Sequence, residues 1–542
     1  MNSTKTNGLL IIFIAGVILI PGLFLRDFTP TNELKYIHIA KQMFVHHKWF
    51  ILYENGNFYP DKPPFFFWLI NLTKILTGTY SLGVIGLFSV IPRILIAMSA
   101  YLLVNHYVDA KSALPAALMV MSTAGFLVAG SCIRMDMLMN LFIVLALSIF
   151  FLVYDRYKRT GVIGKKSYLI YFFIGIAILI KGPTGIIVPL LTIATFLLLE
   201  KNIGIAKQIH VPAGVLIIVI LLLLWIVPAA ISGGREYMNL LLIKQTVGRG
   251  INAFAHKGPF YYYIEKSPEF FFPWSVLFFL TVCYFLIHLK KADSFEKFCL
   301  AWFVSTFVFF SLISSKPEIY LLPMVFPLPI LTLCLLKREI TNQRLLLLIS
   351  VGLPGVVLSC LPLAILLWDE KIRLVNLRED FLIGSILVSI CSLAGIYYAN
   401  KTHYRKAVTL LAAAVFILAV NAEMKVTKYN PIIGLKDMSQ VIKARQTESP
   451  VKNIYSYRLS EGKYMSVYLD QKVEPITDLK SVDTARSTNA GILIFSKAKN
   501  ADQLLRLPNA KILYKNTMYV LVGITRERMQ HDHLKLPDSR GE

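Results

Sequence analysis

Two stretches near the N-terminus decide the interpretation of this chain: Thr31-Asn32-Glu33-Leu34-Lys35-Tyr36 and Tyr59-Pro60-Asp61-Lys62-Pro63-Pro64. Both lie in one polar segment, residues 26–81, that directly follows the first apolar run. This segment is longer than an ordinary connection between two helices. Acids and bases held beside a membrane-spanning helix are costly unless they handle a polar substrate. We therefore predict that the chemistry of this protein lies in this segment.

The composition is typical of a membrane protein. Of the 542 residues, 56% are hydrophobic and only 16% are charged, and the mean hydropathy is +0.60. Soluble domains contain about 45–50% apolar and about 25% charged residues. The six cysteines all lie in apolar runs, so the sequence predicts neither a disulfide framework nor a thiolate metal site.

Apolar runs long enough to cross roughly 30 Å of hydrocarbon number about thirteen. The first has little basic flank and no small-residue cleavage site, which predicts a retained helix and not a cleaved signal peptide. Gly182-Pro183 divides one long apolar region into two runs. The thirteen lie near residues 8–25, 82–105, 113–130, 137–154, 168–181, 183–200, 210–232, 271–289, 297–314, 319–336, 345–367, 381–398 and 406–422.

The loops between these runs predict an orientation. Alternate loops are short and rich in lysine and arginine, which assigns them to the cytoplasm. The opposite, outer side then receives the long loops 26–81 and 233–270 and the C-terminal segment. The formal charge of +24 is explained by this topology and by anionic lipid. Nucleic-acid binding is not predicted, because the sequence contains no basic and aromatic platform.

Two domains are predicted. Residues 1–423 form a transmembrane domain, and residues 424–542 form a small α/β domain on the outer side. The predicted fold class is therefore a polytopic α-helical membrane protein with a small C-terminal α/β domain on the outer side. In that domain the sequence predicts strands over 452–458, 464–470 and 491–496, a hairpin over 511–521, and helices over 435–445 and 501–505.

Within residues 26–81, the apolar spacing from Asn32 to Met43 predicts a helix lying flat in the membrane interface. Glu33 in its first turn suits the helix dipole. Pro63-Pro64 and the following aromatic residues predict a second interfacial helix. Taken singly, these residues are also compatible with simple interface anchors and lysine side chains that extend to the headgroups.

Other predicted outer loops bring further cations to the same side. Arg134 and Asp136 lie at one turn, and Lys181 lies at another. The turn from Ser315 to Tyr320 contains Lys316, and the loop 233–270 contains Arg249 and His256. Several cations with few acids are what a phosphate-bearing ligand requires. The alternative is that they neutralise anionic lipid, and a lone histidine such as His256 is more often an ordinary surface residue.

The two motifs resemble those of the ArnT-like aminoarabinose transferases. That group belongs to glycosyltransferase family 83, in the protein O-mannosyltransferase superfamily with the GT-C fold. The motifs cover residues 1–335, and the thirteen-span plan with an outer α/β tail covers the rest. The resemblance implies transfer of a sugar from an undecaprenyl-phosphate donor to a lipid A phosphate. It implies a monomer among membrane lipids, acting at the periplasmic face of a Gram-negative inner membrane.

Carried onto this chain, the resemblance implies catalytic roles for Asn32, Glu33, Asp61 and Lys62. It implies contacts with the donor, the acceptor or their phosphates for a larger set of residues. These are Lys35, Tyr36, Tyr59, Lys181, His256, Lys316 and Tyr320. We add Asp27, Arg134, Asp136 and Arg249 to the predicted substrate contacts because of their positions on the predicted outer side.

Asn32 departs from the family pattern, which has an acid at this position. In protein O-mannosyltransferases that acid is thought to act as general base on a hydroxyl group, and asparagine cannot accept the proton. A lipid A phosphate is already anionic at neutral pH, since its second pKa is near 6. The asparagine therefore favours a phosphate acceptor. Asp27 and Glu33 remain alternative bases.

No cofactor is required by this chemistry. Asp61 and His256 form a candidate pair for a divalent cation, although two ligands are weak evidence for a metal. The sugar is predicted to be an amino sugar, aminoarabinose or galactosamine. Two alternatives stay open: a protein O-glycosyltransferase of the same superfamily, and a transporter or flippase for a polyprenyl-linked sugar. Transporters tend to show paired repeats and midplane polar groups, of which this sequence has few.

Overall fold

The computed structural model describes residues 2–241, 258–338, 342–367, 377–448, 453–488 and 491–525. Contacts divide the chain into two compact units. The first unit contains Met1–Arg26 and Ile39–Thr427, and the second contains Asp27–His38 and Lys428–Glu542. The sequence predicts a division at 423/424 with residues 27–38 in the first domain. The contacts instead group this short segment with the C-terminal residues.

The first unit is built from apolar helices. In the described part of the chain, eight helices are long and apolar enough to cross a membrane, and two further pairs do so if each bent pair is one span. The eight are Lys5–Leu25, Leu82–Tyr107, Met135–Thr160, Val211–Asn239, Ser294–Leu312, Gln343–Leu367, Asp380–Asn400 and Tyr404–Met424. The bent pairs are Ala110–Ser122 with Ala124–Ser131, and Glu318–Met324 with Pro327–Lys337.

Every predicted apolar run coincides with a helix or a bent pair. The remaining three runs form shorter apolar helices, Ser167–Lys181, Thr184–Leu199 and Ser275–Ile287. Apolar side chains also face outward, with Leu224 65% exposed and Ile231 81% exposed. This pattern suits a hydrocarbon environment. A polytopic helical membrane fold is thus confirmed, whereas the count of thirteen crossings stays a prediction.

Several helices contain breaks that the sequence did not locate. Val211–Asn239 continues past the predicted end of its run, and Gly234 (φ 63°) makes a kink inside it. The far end of the predicted loop 233–270 is also a helix, Tyr262–Phe270. The span Gln343–Leu367 is composed of successive pieces. They are Gln343–Leu347, a π-helical turn Leu348–Gly352, Leu353–Ser359 and Leu361–Leu367.

A short hairpin and a helix occupy the region after residue 50. Strands β1 (Tyr53–Glu54) and β2 (Asn57–Phe58) pair antiparallel. Asn55 and Gly56 join them with positive φ angles of 54° and 85°, as a two-residue hairpin turn requires. The helix Phe65–Thr77 follows and ends at Gly78 in the left-handed conformation. The sequence predicted both this helix and the helix observed over Glu33–Val45.

The second unit contains five strands: β3 (Asn453–Tyr457), β4 (Glu474–Ile476), β5 (Gly491–Lys497), β6 (Ala510–Lys515) and β7 (Tyr519–Thr525). They form one sheet in the order β4-β3-β5-β7-β6. Strands β4, β3 and β5 are parallel, and β5, β7 and β6 are antiparallel. The helices are Val426–Ile433, Lys436–Glu448, Leu479–Thr488 and Ala501–Leu505. A small C-terminal α/β arrangement is therefore confirmed.

One predicted strand is wrong. Residues 464–470 do not form a strand but lie in a 3-10 turn, Ser460–Met465, followed by a single helical turn, Ser466–Leu469. Tyr464, Met465 and Leu469 are the buried side chains, and their spacing is that of a helical face and not of alternation. The short strand β4 and the helix Leu479–Thr488 were not predicted.

Candidate active site

A buried carboxylate lies between two cations in the first unit. Arg134 is the N-cap of the helix Met135–Thr160, and Asp136 lies in its first turn, where an acid suits the helix dipole. Arg134 Nε donates to Asp136 Oδ2 at 3.2 Å. Lys181 Nζ donates to Asp136 Oδ1, and the Asp136 side chain is only 3% exposed. Two cations against one carboxylate leave this group with one net positive charge.

Lys181 also lies beside two packed aromatic rings, those of Tyr320 and Phe310. It is the last residue of the helix Ser167–Lys181, where a cation suits the dipole, and Gly182 (φ 88°) ends that helix. Its ammonium lies 5.3 Å from the centre of the Tyr320 ring. Tyr320 in turn packs against Phe310 at 4.5 Å. The structure thus brings together four of the predicted residues: Arg134, Asp136, Lys181 and Tyr320.

Asp61 and Lys62 lie between two elements anchored by one apolar cluster. The buried members of that cluster are Ile51, Leu179, Trp225, Ala229 and Tyr237. Phe58 and Phe65, which flank Asp61-Lys62 in the chain, pack against it. Leu179 precedes Lys181 by two residues. One cluster therefore holds both the chain around Asp61-Lys62 and the helix end that carries Lys181.

Hydrogen bonds strengthen this anchoring. The main-chain N–H of Tyr59 donates to the Leu52 carbonyl at 2.7 Å, which closes the hairpin next to Asp61. Trp68 Nε1 donates to the Trp49 carbonyl at 2.6 Å, and Trp225 Nε1 donates to the Phe50 carbonyl at 3.0 Å. Tyr59 is buried, whereas Asp61 and Lys62 are half-buried.

Lys316 has a different environment from the one the sequence suggested. Its ammonium donates to the carbonyl oxygens of Phe310, Ser311 and Ile313 at 3.3, 2.7 and 2.6 Å. These carbonyls end the helix Ser294–Leu312, and a cation suits that end. The residue is only 2% exposed. These contacts describe a helix cap, so the role of Lys316 in ligand binding stays a prediction without geometric support.

In the second unit, Glu33 organises the turn that carries the first motif. Its Oε2 accepts hydrogen bonds from the Thr29 main-chain N–H at 2.7 Å and from Thr29 Oγ1 at 3.0 Å. Glu33 is fully buried, whereas the neighbouring Asn32 is exposed. Lys35 is half-buried and Tyr36 is buried. The motif therefore presents its asparagine outward and keeps its acid inside.

Asp27 is an anchor within the second unit. Its Oδ1 accepts from the Phe28 N–H at 2.7 Å and from the Tyr468 hydroxyl, and its Oδ2 accepts from the Lys436 N–H at 2.9 Å. Burial raises the pKa of the Asp27 carboxyl, and these hydrogen bonds oppose that shift only in part. These hydrogen bonds give the Asp27 carboxylate a structural role, and its contact with substrate stays a prediction.

Two predicted residues, Arg249 and His256, lie outside the described residues. The candidate cation pair of Asp61 and His256 is therefore a prediction that the structure does not address. Among the residues that the structure does describe, no group of three or more His, Cys, Asp or Glu side chains is placed to hold a metal ion.

The sequence missed two residues that support this region. Arg93 is fully buried, and its Nη2 donates to the Met121 carbonyl at 2.8 Å. Ser89, one helical turn earlier, donates through Oγ to the Cys132 carbonyl at 2.8 Å. The Met121 carbonyl lies near the end of the preceding helix, Ala110–Ser122, and Cys132 is the C-cap of the short helix Ala124–Ser131, which leads to Arg134. A lone arginine inside an apolar run was the available signal.

Comparison with known proteins gives two sequence findings. Residues 61–227 match the family model described as dolichyl-phosphate-mannose-protein mannosyltransferase. The chain is 27% identical over 381 residues to the undecaprenyl phosphate-alpha-4-amino-4-deoxy-L-arabinose arabinosyl transferase of Wigglesworthia glossinidia brevipalpis. That alignment covers 68% of this chain and 66% of the relative. An uncharacterized protein of Aquifex aeolicus is 26% identical over 312 residues, or 57% of this chain and 59% of that protein.

The chain thus matches somewhat under two thirds of the length of these relatives. Its fold matches over nearly the whole length of a solved structure. The crystal structure of ArnT from Cupriavidus metallidurans bound to undecaprenyl phosphate superposes with a TM-score of 0.76 at 17% identity, covering 97% of this chain and 99% of that one. The chain therefore has the GT-C fold seen in that ArnT structure, and its sequence is similar to the arabinosyl transferases over part of its length.

Proposed function

We propose that this protein is a glycosyltransferase that takes a sugar from a polyprenyl-phosphate donor. In its specific form, the proposal is transfer of an amino sugar, aminoarabinose or galactosamine, from undecaprenyl phosphate to a lipid A phosphate. The reaction takes place at the periplasmic face of the inner membrane. The observation that carries the proposal is the buried Asp136 held between Arg134 and Lys181 beside Tyr320. The names of the arabinosyl transferase relatives support it.

The chemistry explains why such a cluster is useful. Breaking the bond between the sugar and the donor phosphate leaves negative charge on the phosphate, while the sugar becomes cationic. Preorganised cations stabilise the departing phosphate, and they do so best where water is excluded. Asp136 fixes the positions of Arg134 and Lys181 before substrate arrives. Lys62 and Lys35 are the further cations that we assign to donor or acceptor phosphates.

Asn32 is the residue that supports a phosphate group as the acceptor. Its exposed amide cannot take a proton from a hydroxyl acceptor, but a phosphate acceptor needs only placement and charge compensation. We assign Asn32, Glu33 and Asp61 to orienting the sugar, including its amino group, and to shielding the cationic sugar carbon.

A second candidate is a protein O-glycosyltransferase. The observation that favours it is the family model matched by residues 61–227, whose description names a protein mannosyltransferase. Asn32 argues against it, because a serine or threonine hydroxyl needs a base that asparagine does not provide.

Transfer by the purified protein tests the proposal. The protein is incubated in lipid vesicles with labelled undecaprenyl-phosphate aminoarabinose and lipid A, and the products are weighed by mass spectrometry. We expect lipid A to gain the mass of the sugar. Unmodified lipid A together with a glycosylated protein supports the second candidate. Movement of the label across the vesicle without any transfer identifies a transporter.

The variant Lys181→Ala connects this activity to the cluster. It removes one of the two cations that hold Asp136, so we expect transfer to fall by about a hundredfold, as for the loss of one preorganised transition-state group. Lys74→Ala is the matched control, because Lys74 also lies in the last turn of a helix and is also half-buried, but it is not part of this cluster. Equal activity of both variants contradicts the proposed site.

A further inference from the structure

The segment Asp27–His38 carries the first motif, and it packs with residues from the end of the chain. The contacts group it with Lys428–Glu542 in one compact unit. Four of its hydrogen bonds reach residues that lie 403 to 441 positions further along the chain. The segment therefore depends for its conformation on residues that the motif itself does not reveal.

The start of the segment is fixed at Asp27. The Asp27 N–H donates to Asn430 Oδ1 at 2.8 Å, and its carboxylate accepts from the Lys436 N–H at 2.9 Å and from the Tyr468 hydroxyl. The neighbouring Phe28 ring packs against Tyr468 at 6.3 Å. Both sides of the carboxylate are thereby held by C-terminal residues.

The end of the segment is fixed at His38, by the turn that also contains Tyr468. His38 Nδ1 is hydrogen-bonded to Ser466 Oγ at 2.8 Å, and its ring packs against Tyr464 at 5.6 Å. His38 is buried, with 4% of its surface exposed. Residues Tyr464–Tyr468, which we call the clamp turn, therefore hold both ends of the segment, with Asn32 and Glu33 between them.

The fit beside Asp27 leaves no spare room. Gly434 approaches Asp27 so closely that a Cβ atom at this position would overlap the carboxylate. A side chain at residue 434 must therefore displace Asp27, and with it the start of the segment.

We propose that the clamp turn is a positioning element for the reaction, and that Tyr468 and Ser466 are positioning residues. They act through Asp27 and His38 to hold Asn32 and Glu33 in the arrangement that sugar transfer needs. This inference rests on the proposed function. It assigns to Tyr468 and Ser466 a positioning role that the two motifs do not reveal.

The test compares two single-atom deletions in the same unit. Tyr468→Phe removes the hydroxyl that bonds Asp27. Tyr457→Phe is the matched control, since its buried ring also loses one hydrogen bond, donated to Gln503 Oε1 at 3.2 Å in the sheet. We expect Tyr468→Phe to lower the transfer rate by about tenfold, as for a buried hydrogen bond to a charged group, and Tyr457→Phe to change it less than about twofold.

Amide hydrogen exchange distinguishes a local loosening of residues 27–38 from a general loss of stability. In Tyr468→Phe, peptides from residues 27–38 exchange faster than in the wild type, while peptides from strands β3 and β5 keep their protection. In Tyr457→Phe, peptides from strands β3 and β5 exchange faster than in the wild type, while peptides from residues 27–38 keep their protection. Ser466→Ala is the second variant, and it repeats the test should Tyr468→Phe fail to fold.

Gly434→Ala tests the same contact from the other side. We expect loss of transfer and faster exchange of residues 27–38, because the new methyl group displaces Asp27. Gly204→Ala is the control, since a Cβ at this position meets no atom within 4 Å.

Wild-type transfer by Tyr468→Phe and Gly434→Ala overturns the inference. So does equal acceleration of exchange in residues 27–38 for Tyr468→Phe and Tyr457→Phe. A wild-type protein that transfers no sugar instead defeats the proposed function, and the exchange measurements still report whether the clamp turn holds the segment.

Discussion

Asn32 and Glu33 are neighbours with opposite environments, and this contrast explains much of the motif. Asn32 is exposed, so its amide is available to a polar ligand. Glu33 is fully buried and accepts two hydrogen bonds from Thr29, so part of its function is to shape the turn. Changing either residue therefore tests a different aspect of the site: Asn32 tests the acceptor chemistry, and Glu33 tests the arrangement that supports it.

Asn32→Asp restores the acid that the wider family has. We expect transfer to lipid A to continue within about threefold of the wild type, because an anionic phosphate acceptor needs no general base and the two side chains have nearly the same shape. The measurement is the initial rate with labelled donor and lipid A. A gain of transfer to serine or threonine hydroxyls would show that the residue selects the acceptor class.

Glu33→Gln and Lys62→Ala remove charge from the two motifs. We expect each to lower transfer by at least about a hundredfold, because charges placed for the transition state contribute on that order. Both proteins should insert and melt like the wild type. Lys48→Ala is the control, because Lys48 is an exposed lysine of the same region outside both motifs. Full activity of both variants would place the site elsewhere.

At this scale the sequence predicted several residues that lie together, but not all of their contacts. Arg134, Asp136, Lys181 and Tyr320 were predicted from separate loops, and the structure brings them together. Lys316 was predicted with them, but its three donors are used by carbonyls at a helix end. A residue list cannot distinguish a lysine that meets a ligand from one that caps a helix, because the difference depends on where that helix stops.

Among the secondary-structure elements, several helix ends are joined by ion pairs and charged hydrogen bonds. Glu200 follows the helix Thr184–Leu199 and is only 6% exposed. It accepts hydrogen bonds from Ser294 Oγ at 2.6 Å, Tyr154 OH at 2.8 Å and Lys297 Nζ at 2.9 Å. One carboxylate thereby joins the ends of three helices at the end of the bundle that the sequence assigns to the cytoplasm.

Glu200→Gln tests this junction through its pH dependence. Burial alone would raise the pKa of Glu200, but the hydrogen bonds from Ser294, Lys297 and Tyr154 outweigh it and lower the pKa from 4.5 to about 2. Because the folded-state pKa is depressed, the stabilisation is complete above pH 4.5 and is lost as the pH falls towards 2. We expect Glu200→Gln to lower the free energy of unfolding by about 2 kcal/mol at neutral pH.

The control is Glu474→Gln, which breaks an exposed pair with Lys472 and should cost less than about 0.5 kcal/mol. Chemical denaturation in detergent at neutral pH and at pH 3 measures both variants. A difference between the wild type and Glu200→Gln that does not shrink at pH 3 would contradict the role of this carboxylate.

Helices were predicted more accurately than strands. An apolar run of membrane length has few alternatives to a helix, so each predicted run coincides with one. The stretch 464–470 was mistaken for a strand because a few apolar residues in a short segment fit more than one period. Kinks such as that at Gly234 were missed, since the sequence marks where a helix is apolar but not where it bends.

For the whole molecule, the sequence predicted a helical membrane domain followed by a small α/β domain, and both are observed. It did not predict that residues 27–38 belong with the C-terminal residues. Hydrophobic patterning reports which side chains are buried, but not which distant part of the chain buries them. The grouping of this segment with the C-terminal residues therefore could not be predicted from the sequence pattern, although the motif itself was recognisable.

The partners of Asp27 have a consequence for biosynthesis. Asn430 is translated 403 residues after Asp27, and Tyr468 is translated later still. At typical elongation rates of about 5–20 residues per second, the N-terminal segment waits for about 20 to 80 seconds before these residues leave the ribosome. Helix after helix is inserted during that interval, so the first motif reaches its final conformation only when the nascent chain is nearly finished. A polypeptide released early, by a premature stop codon or by proteolysis, would then be a well-inserted membrane protein whose segment Asp27–His38 lacks the residues that hold it.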